Sequence, residues 1–188
     1  RVHEQVSERE SKLKAAIEQT IKDRSVLLIP AFSIERTQEL LYALNQILEH
    51  DLVTSCPIFL DSPMAIRATQ LYRDFKEYLE FDESILKEPD RDFFSFKNLR
   101  ETLTIDESKK INDTPPPKVI VAGSGMMSGG RIMHHLIRYL SDPKTTLLII
   151  GYQAKGTIGR KIYEGAKRVV IFGEEVRVNA RTIAIGAF

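Results

Sequence analysis

Apolar and polar positions follow two rhythms along this chain, and the change from one to the other lays out the elements. From Glu4 to Asp23 the residues Val6, Leu13, Ile17, Thr20 and Ile21 fall near one face among charged neighbours, which predicts an amphipathic helix. A different unit then recurs four times: a short continuous apolar run, a turn, and a helix. Val26 to Pro30 is the first run, followed by Ala31-Phe32-Ser33 and a helix predicted from about Ile34 to Glu49, with Ser33 placed to cap it. Ile58 to Asp61 is the second, and its helix opens on Ser62-Pro63 and runs to about Tyr78. Serine at the cap with proline at the first helical position is a start signal. Val119 to Ala122 is the third, leading through a glycine-rich loop to a helix ending near Leu140. Thr146 to Gly151 is the fourth, with a helix to about Ala166.

The intervening and final stretches differ. Leu79 to Asn98 has no clean period and is read as irregular with short helical pieces. Leu103-Thr104-Ile105 is read as a short strand, and Asp106 to Asn112 as a short helix ended by three prolines. Val169 to Phe172, Glu175 to Asn179 and Thr182 to Ile185 are read as strands joined by short turns. Apolar runs separated by helices predict an α/β fold: a doubly wound, mostly parallel sheet flanked by helices. Right-handed crossovers would place all four turns at one edge, the carboxyl ends of the strands.

Composition adds limits. The chain has 188 residues, 43% hydrophobic and 28% charged, with a net charge of +1, so a nucleic-acid binder of this kind must concentrate its positive charge locally. The single cysteine, Cys56, excludes an internal disulfide and a cysteine-based zinc site, and its apolar surroundings read as those of a structural thiol. No apolar stretch approaches the roughly 20 residues of a membrane span.

The candidate chemistry lies in the turns. Each leads into an arginine: Arg36, Arg67, Arg131 and Arg160. Helix N-termini offer free N–H groups, glycines allow close backbone approach, and arginine binds phosphate bidentately. Convergence of the four on one edge would suit a polyphosphate chain. The plainer reading is a solvated arginine or one paired with a nearby carboxylate. It weighs more for Arg36 and Arg67, which have Glu35, Glu39 and Asp61 close by, than for Arg131 and Arg160, which follow glycine-bearing loops. Asp61 at a strand end is either a metal ligand or general base, or the partner of a helix start or an arginine. His134 and His135 project about 100° apart from one helix and cannot chelate one metal together. The glycine loop matches neither the dinucleotide fingerprint nor the P-loop, and no H-E-x-x-H or G-x-S-x-G run is present.

Four segments, PAFSIERTQELLYAL, FLDSPMAIRATQLY, VAGSGMMSGGRIMHHL and GYQAKGTIGR, in this order and spacing, resemble the β-CASP domain of metallo-β-lactamase-fold nucleases. That group includes the cleavage and polyadenylation endonuclease and bacterial and archaeal RNA-processing exonucleases. The resemblance implies an inserted domain over residues 1–177, with 178–188 a strand returning toward a metallo-β-lactamase domain outside this sequence. It implies a parent ribonuclease using two zinc ions, with every metal ligand and catalytic group in that other domain; a cytoplasmic location is expected from the lone cysteine, which is compatible with a reducing cytosol. This segment would then hold no cofactor and be inactive alone. Its partners would be single-stranded RNA and the metallo-β-lactamase domain of the same chain, with no membrane. On this resemblance Ser124, Gly125, Met126, Ser128, Gly129, Gly130, Arg131, Thr157 and Arg160 are expected to contact RNA phosphate, with Arg36 and Arg67 as second choices. Phe32, Tyr152 and Gln153 are expected to meet base or ribose. Two further readings stay open: an α/β module for a small phosphorylated ligand, and a non-catalytic docking domain.

Overall fold

A computed structural model describes residues 6–50, 56–79 and 92–186. The first helix, α1 (Val6–Lys22), leads into β1 (Val26–Pro30) and α2 (Arg36–His50). Next come β2 (Ile58–Asp61), α3 (Pro63–Asp74), β3 (Leu99–Glu101) and α4 (Ile105–Lys110). Then follow β4 (Lys118–Ala122), α5 (Ile132–Tyr139), β5 (Thr146–Ile149) and α6 (Ile158–Tyr163). The chain closes with β6 (Arg168–Ile171), β7 (Glu174–Arg177) and β8 (Arg181–Ala184).

Six strands form one sheet in the order β3-β2-β4-β1-β5-β8, every pairing parallel, while β6 and β7 form a separate antiparallel hairpin. β1 and β4 are buried along their whole length because helices cover both faces, which is why they read as unbroken apolar runs. On one face Leu13, Ile17, Leu40, Leu44 and Ile66 pack over Leu27, Ile29, Leu60 and Val121. On the other, Ile132, Leu136, Ile162, Val169 and Ile171 pack over Leu28, Ile120 and Ile149. The predicted α/β sheet with flanking helices is therefore the observed architecture. Among the described residues no helix is long and apolar enough to cross a membrane. Burial pushes the Cys56 thiol up to about 11, in keeping with a structural side chain.

β4 begins one residue earlier than its apolar run, at a buried lysine. The Lys118 ammonium donates to the carbonyls of Ile111 and Thr114, both at 2.7 Å, and so closes the 3₁₀ turn Ile111–Asp113 ahead of the three prolines. It also lies 5.2 Å from the centre of the Tyr139 ring.

Several expectations are corrected. Ser33 does not cap α2, which starts at Arg36 after Glu35 takes a left-handed φ of 70°. The Ser33 hydroxyl lies instead 3.4 Å from that of Ser62, which caps α3 as predicted by accepting from the Ala65 N–H. Leu103 to Ile105 is not a strand. The strand is Leu99–Glu101, and Thr104 caps α4 in a reciprocal capping box with Glu107. The Thr-x-x-Glu signature outweighs the β-branched run there. The predicted helix to Tyr78 ends at Asp74 and is followed by a 3₁₀ turn over Lys76–Tyr78. Within the irregular Leu79 to Asn98 stretch, residues 80–91 lie outside the described residues, as do residues 1–5 and 187–188. Part of the expected return strand is the edge strand β8, paired with β5 in the main sheet.

Candidate functional site

The chain leaves β1 toward β2 across one face and leaves β4 toward β5 across the other. Since β1 and β4 are neighbours, their carboxyl ends open a crevice where α/β sheets bind ligands. Phe32 fills its floor. A Cβ on Gly125 would sit 2.7 Å from the Phe32 ring and one on Gly151 would sit 3.2 Å from it, so both loops close over the ring only because they carry glycine there.

The loop after β4 is closed on itself. The Ser124 N–H donates to the Gly129 carbonyl at 3.1 Å, the Ile132 N–H to the Gly123 carbonyl at 2.9 Å, and the Ser128 N–H to the Ser124 hydroxyl at 3.2 Å. Gly130 at φ +74° brings its backbone under the Gly123 carbonyl. Met127, at φ 54°, drives a fully buried side chain into the α5–α6 layer. Ser128 and Gly130 stay exposed, Met126 and Gly129 half-buried, and Gly125 is buried.

The loop after β5 is fastened to it. The Gln153 amide is 5% exposed and donates to the carbonyls of Gly125 at 2.9 Å and Gly151 at 3.1 Å, so it bridges the two loops from beneath. Its side chain is turned away from solvent. Thr157 caps α6: its hydroxyl accepts from the Arg160 N–H at 3.2 Å and donates to the Ala154 carbonyl at 2.7 Å. Tyr152, 61% exposed, stands at the rim.

The four arginines have four different settings. Arg36 pairs with Glu39 at 2.7 Å and Arg160 with Glu164 at 2.7 Å, each on its own helix. Arg67 is exposed and has no ion-pair partner among the described residues. Arg131, expected to contact phosphate, is turned inward onto internal partners, with 18% of its side chain accessible. Its Nη1 donates to Asp61 at 2.7 Å and to the Thr102 carbonyl at 2.8 Å, and its Nη2 to the Leu103 carbonyl at 2.8 Å.

Asp61, with no solvent exposure, is the hub of this group. Its Oδ1 accepts from Thr102 Oγ1 and Arg131, and its Oδ2 from Ser108 Oγ and His135 Nε2, all at 2.7 Å. Burial alone would raise its pKa, but these donors outweigh burial and hold the carboxyl down at about 2. An ionised carboxylate with every acceptor position filled neither takes up a proton near neutral pH nor has a free lone pair for a metal. The carboxyl therefore stabilises the fold fully above its ordinary value of 3.8, by about 2 kcal/mol. That stability is lost as pH falls through about 2. Urea unfolding across this range should show the loss, and Asp61→Asn should flatten it.

His135 is spent on Asp61, while His134 lies exposed against Phe172. Among the described residues no three metal-binding side chains come together, so those residues do not fit a zinc centre. One sequence signal for the hub was available: Arg131 and His135 are four apart and so share one face of α5. Thr102 and Ser108 gave no such sign.

Comparison with known proteins accords with this architecture. The Beta-Casp domain model matches residues 37–162, and the chain belongs to the β-CASP domain family. It is 38% identical over 172 residues to "Ribonuclease TTHA0252" of Thermus thermophilus, covering 92% of this chain and 39% of that protein. It is 33% identical over 166 residues to "Transcription termination factor FttA" of Methanosarcina mazei, covering 88% and 26%. It is 30% identical over 177 residues to "RNase J-like protein" of Methanocaldococcus jannaschii, covering 94% and 40%. The chain thus spans well under half the length of these relatives.

Proposed function

We propose that this chain is the RNA-binding cap of a ribonuclease of metallo-β-lactamase fold, acting in RNA processing or degradation. The carrying observation is the family match, whose range takes in three of the four loops at the carboxyl edge of the sheet, those after β2, β4 and β5. The names of the relatives from Thermus thermophilus and Methanocaldococcus jannaschii support a ribonuclease parent. Two zinc ions and their ligands belong, in this reading, to a metallo-β-lactamase domain of the parent, and the cap alone does no hydrolysis. Its own work is positioning: exposed Arg67 and Lys155 attract the phosphate backbone, exposed Ser128 and Gly130 present loop backbone to it, and Tyr152 offers a ring at the rim. Arg36 and Arg160, each tied to a neighbouring carboxylate, are weaker contributors.

The test is a titration against single-stranded RNA of increasing length at two salt concentrations. Affinity should rise with length and fall with salt, and Arg67→Ala and Lys155→Ala should each lower the salt slope by about 0.7. Saturation by a mononucleotide with no gain from length would point to the small-ligand module. No binding of either kind would point to a docking domain.

A further inference from the structure

The hairpin of β6 and β7 turns on two residues, Phe172 and Gly173, since Ile171 pairs with Glu174. Both have left-handed φ, 50° at Phe172 and 85° at Gly173. Turns of this kind favour Asn-Gly, because asparagine adopts that conformation readily and a bulky aromatic does not. The side chain that incurs this strain gains little burial: Phe172 is 62% exposed. It is nevertheless held in place, with its ring centre 5.1 Å from that of His134 at a 44° tilt. His134 is itself exposed and lies in the first turn of α5, directly after the glycine loop. The hairpin tip therefore stands beside the ligand edge of the sheet.

We propose that His134 and Phe172 form a stacking platform for one unpaired base of single-stranded RNA, continuing the track beyond the glycine loop. This rests on the RNA-binding reading above. Strain kept at an exposed aromatic is the mark of a residue retained for contact rather than for folding. The charges around the tip set the kind of contact. Glu175 is paired with Arg168 at 2.8 Å, and Glu174 is a neighbouring carboxylate. Glu174 and the Glu175–Arg168 pair offer phosphate no free cation at the tip, so the platform holds a base face and its contribution is expected to be insensitive to salt.

The experiment uses an oligoadenylate of about twelve nucleotides, long enough for a track of this size, with 2-aminopurine at successive positions. Phe172→Asn is the main variant and His134→Ala the second. Phe172→Asn should weaken binding roughly tenfold, the loss of one stacked base, by the same factor at both salt concentrations. It should abolish the quenching of one 2-aminopurine and melt no lower than the wild type, because asparagine relieves the strained turn. His134→Ala should give a smaller loss at the same base. Wild-type binding that Phe172→Asn leaves intact overturns the platform alone and leaves the tip to a protein contact. A fall in melting temperature that accounts for the weaker binding also overturns it, since Phe172 would then be held for packing. A wild-type chain that binds no RNA defeats the RNA reading and the platform together.

Discussion

Asp61→Asn should melt roughly 10 °C below the wild type. The carboxylate accepts four hydrogen bonds, one from a guanidinium, in a site closed to water. Asparagine presents one acceptor oxygen and an NH₂ group that faces donors. Arg131 then loses its counter-charge while 18% of its side chain remains accessible. Removing one partner of a buried pair costs about 3–5 kcal/mol. A domain of this size loses about 2–4 °C per kcal/mol. Arg131→Met should lose less, since methionine keeps an apolar stem in place of the arginine's and the carboxylate keeps its partners Thr102, Ser108 and His135. In a double-mutant cycle the two changes should couple strongly. Losses below about 1 kcal/mol for Asp61→Asn would show that the network is not a stabilising hub. The consequence for RNA binding is indirect. Arg131→Ala should weaken binding only as far as it loosens the loop, and should leave the salt slope unchanged, whereas a phosphate contact would lower it.

Gly130→Ala should destabilise the chain by roughly 3 kcal/mol, about 1 from the left-handed conformation and about 2 from forced overpacking. A Cβ there would run into the Gly123 carbonyl and come within 2.9 Å of the Ser124 nitrogen. Gly156→Ala is the control. Gly156 has a similar φ of +88°, but nothing lies within 4 Å of the added carbon. It should show the conformational part alone, about 1 kcal/mol. Urea unfolding of the two variants separates strain from contact, and equal losses would mean that the close approach beneath Gly123 does not matter. Because Gly130 closes the loop, its alanine variant should also speed amide exchange at Ser124 and Ile132, whose hydrogen bonds the closure holds.

The strands and their succession were legible because a strand covered on both faces leaves an unbroken apolar run, as in Leu27 to Ile29 and Val119 to Val121. Their order in the sheet was not, since nothing local to β1 says that β4 rather than β2 lies beside it. The family was legible from four ordered motifs. The roles of the arginines were legible only in part. Glu39 and Glu164 stand three and four residues beyond Arg36 and Arg160, so those pairings follow helix spacing. Arg131 was harder to place, because its partner is a strand-end carboxylate seventy positions away. Gln153 looked like a ligand-facing amide, but it lies beneath the loops, in space that a Cβ on Gly159 would occupy. Phe172 read as the end of a strand, although the glycine after it signalled a turn.

The position of β4 has a consequence for how this domain comes into being. Val26 pairs with Lys118 and Pro30 with Ala122, so the two strands at the middle of the sheet come from distant parts of the chain. Closing so long a loop precedes any return from the contacts it brings. A nascent chain halted before Lys118 has α1, α2 and α3 but no centre on which to lay them, and would expose Leu27, Ile29 and Leu60 to chaperones. Pairing of β4 with β1 is therefore the step at which the first helical layer acquires its floor. The crevice between β1 and β4 comes into existence at that same moment.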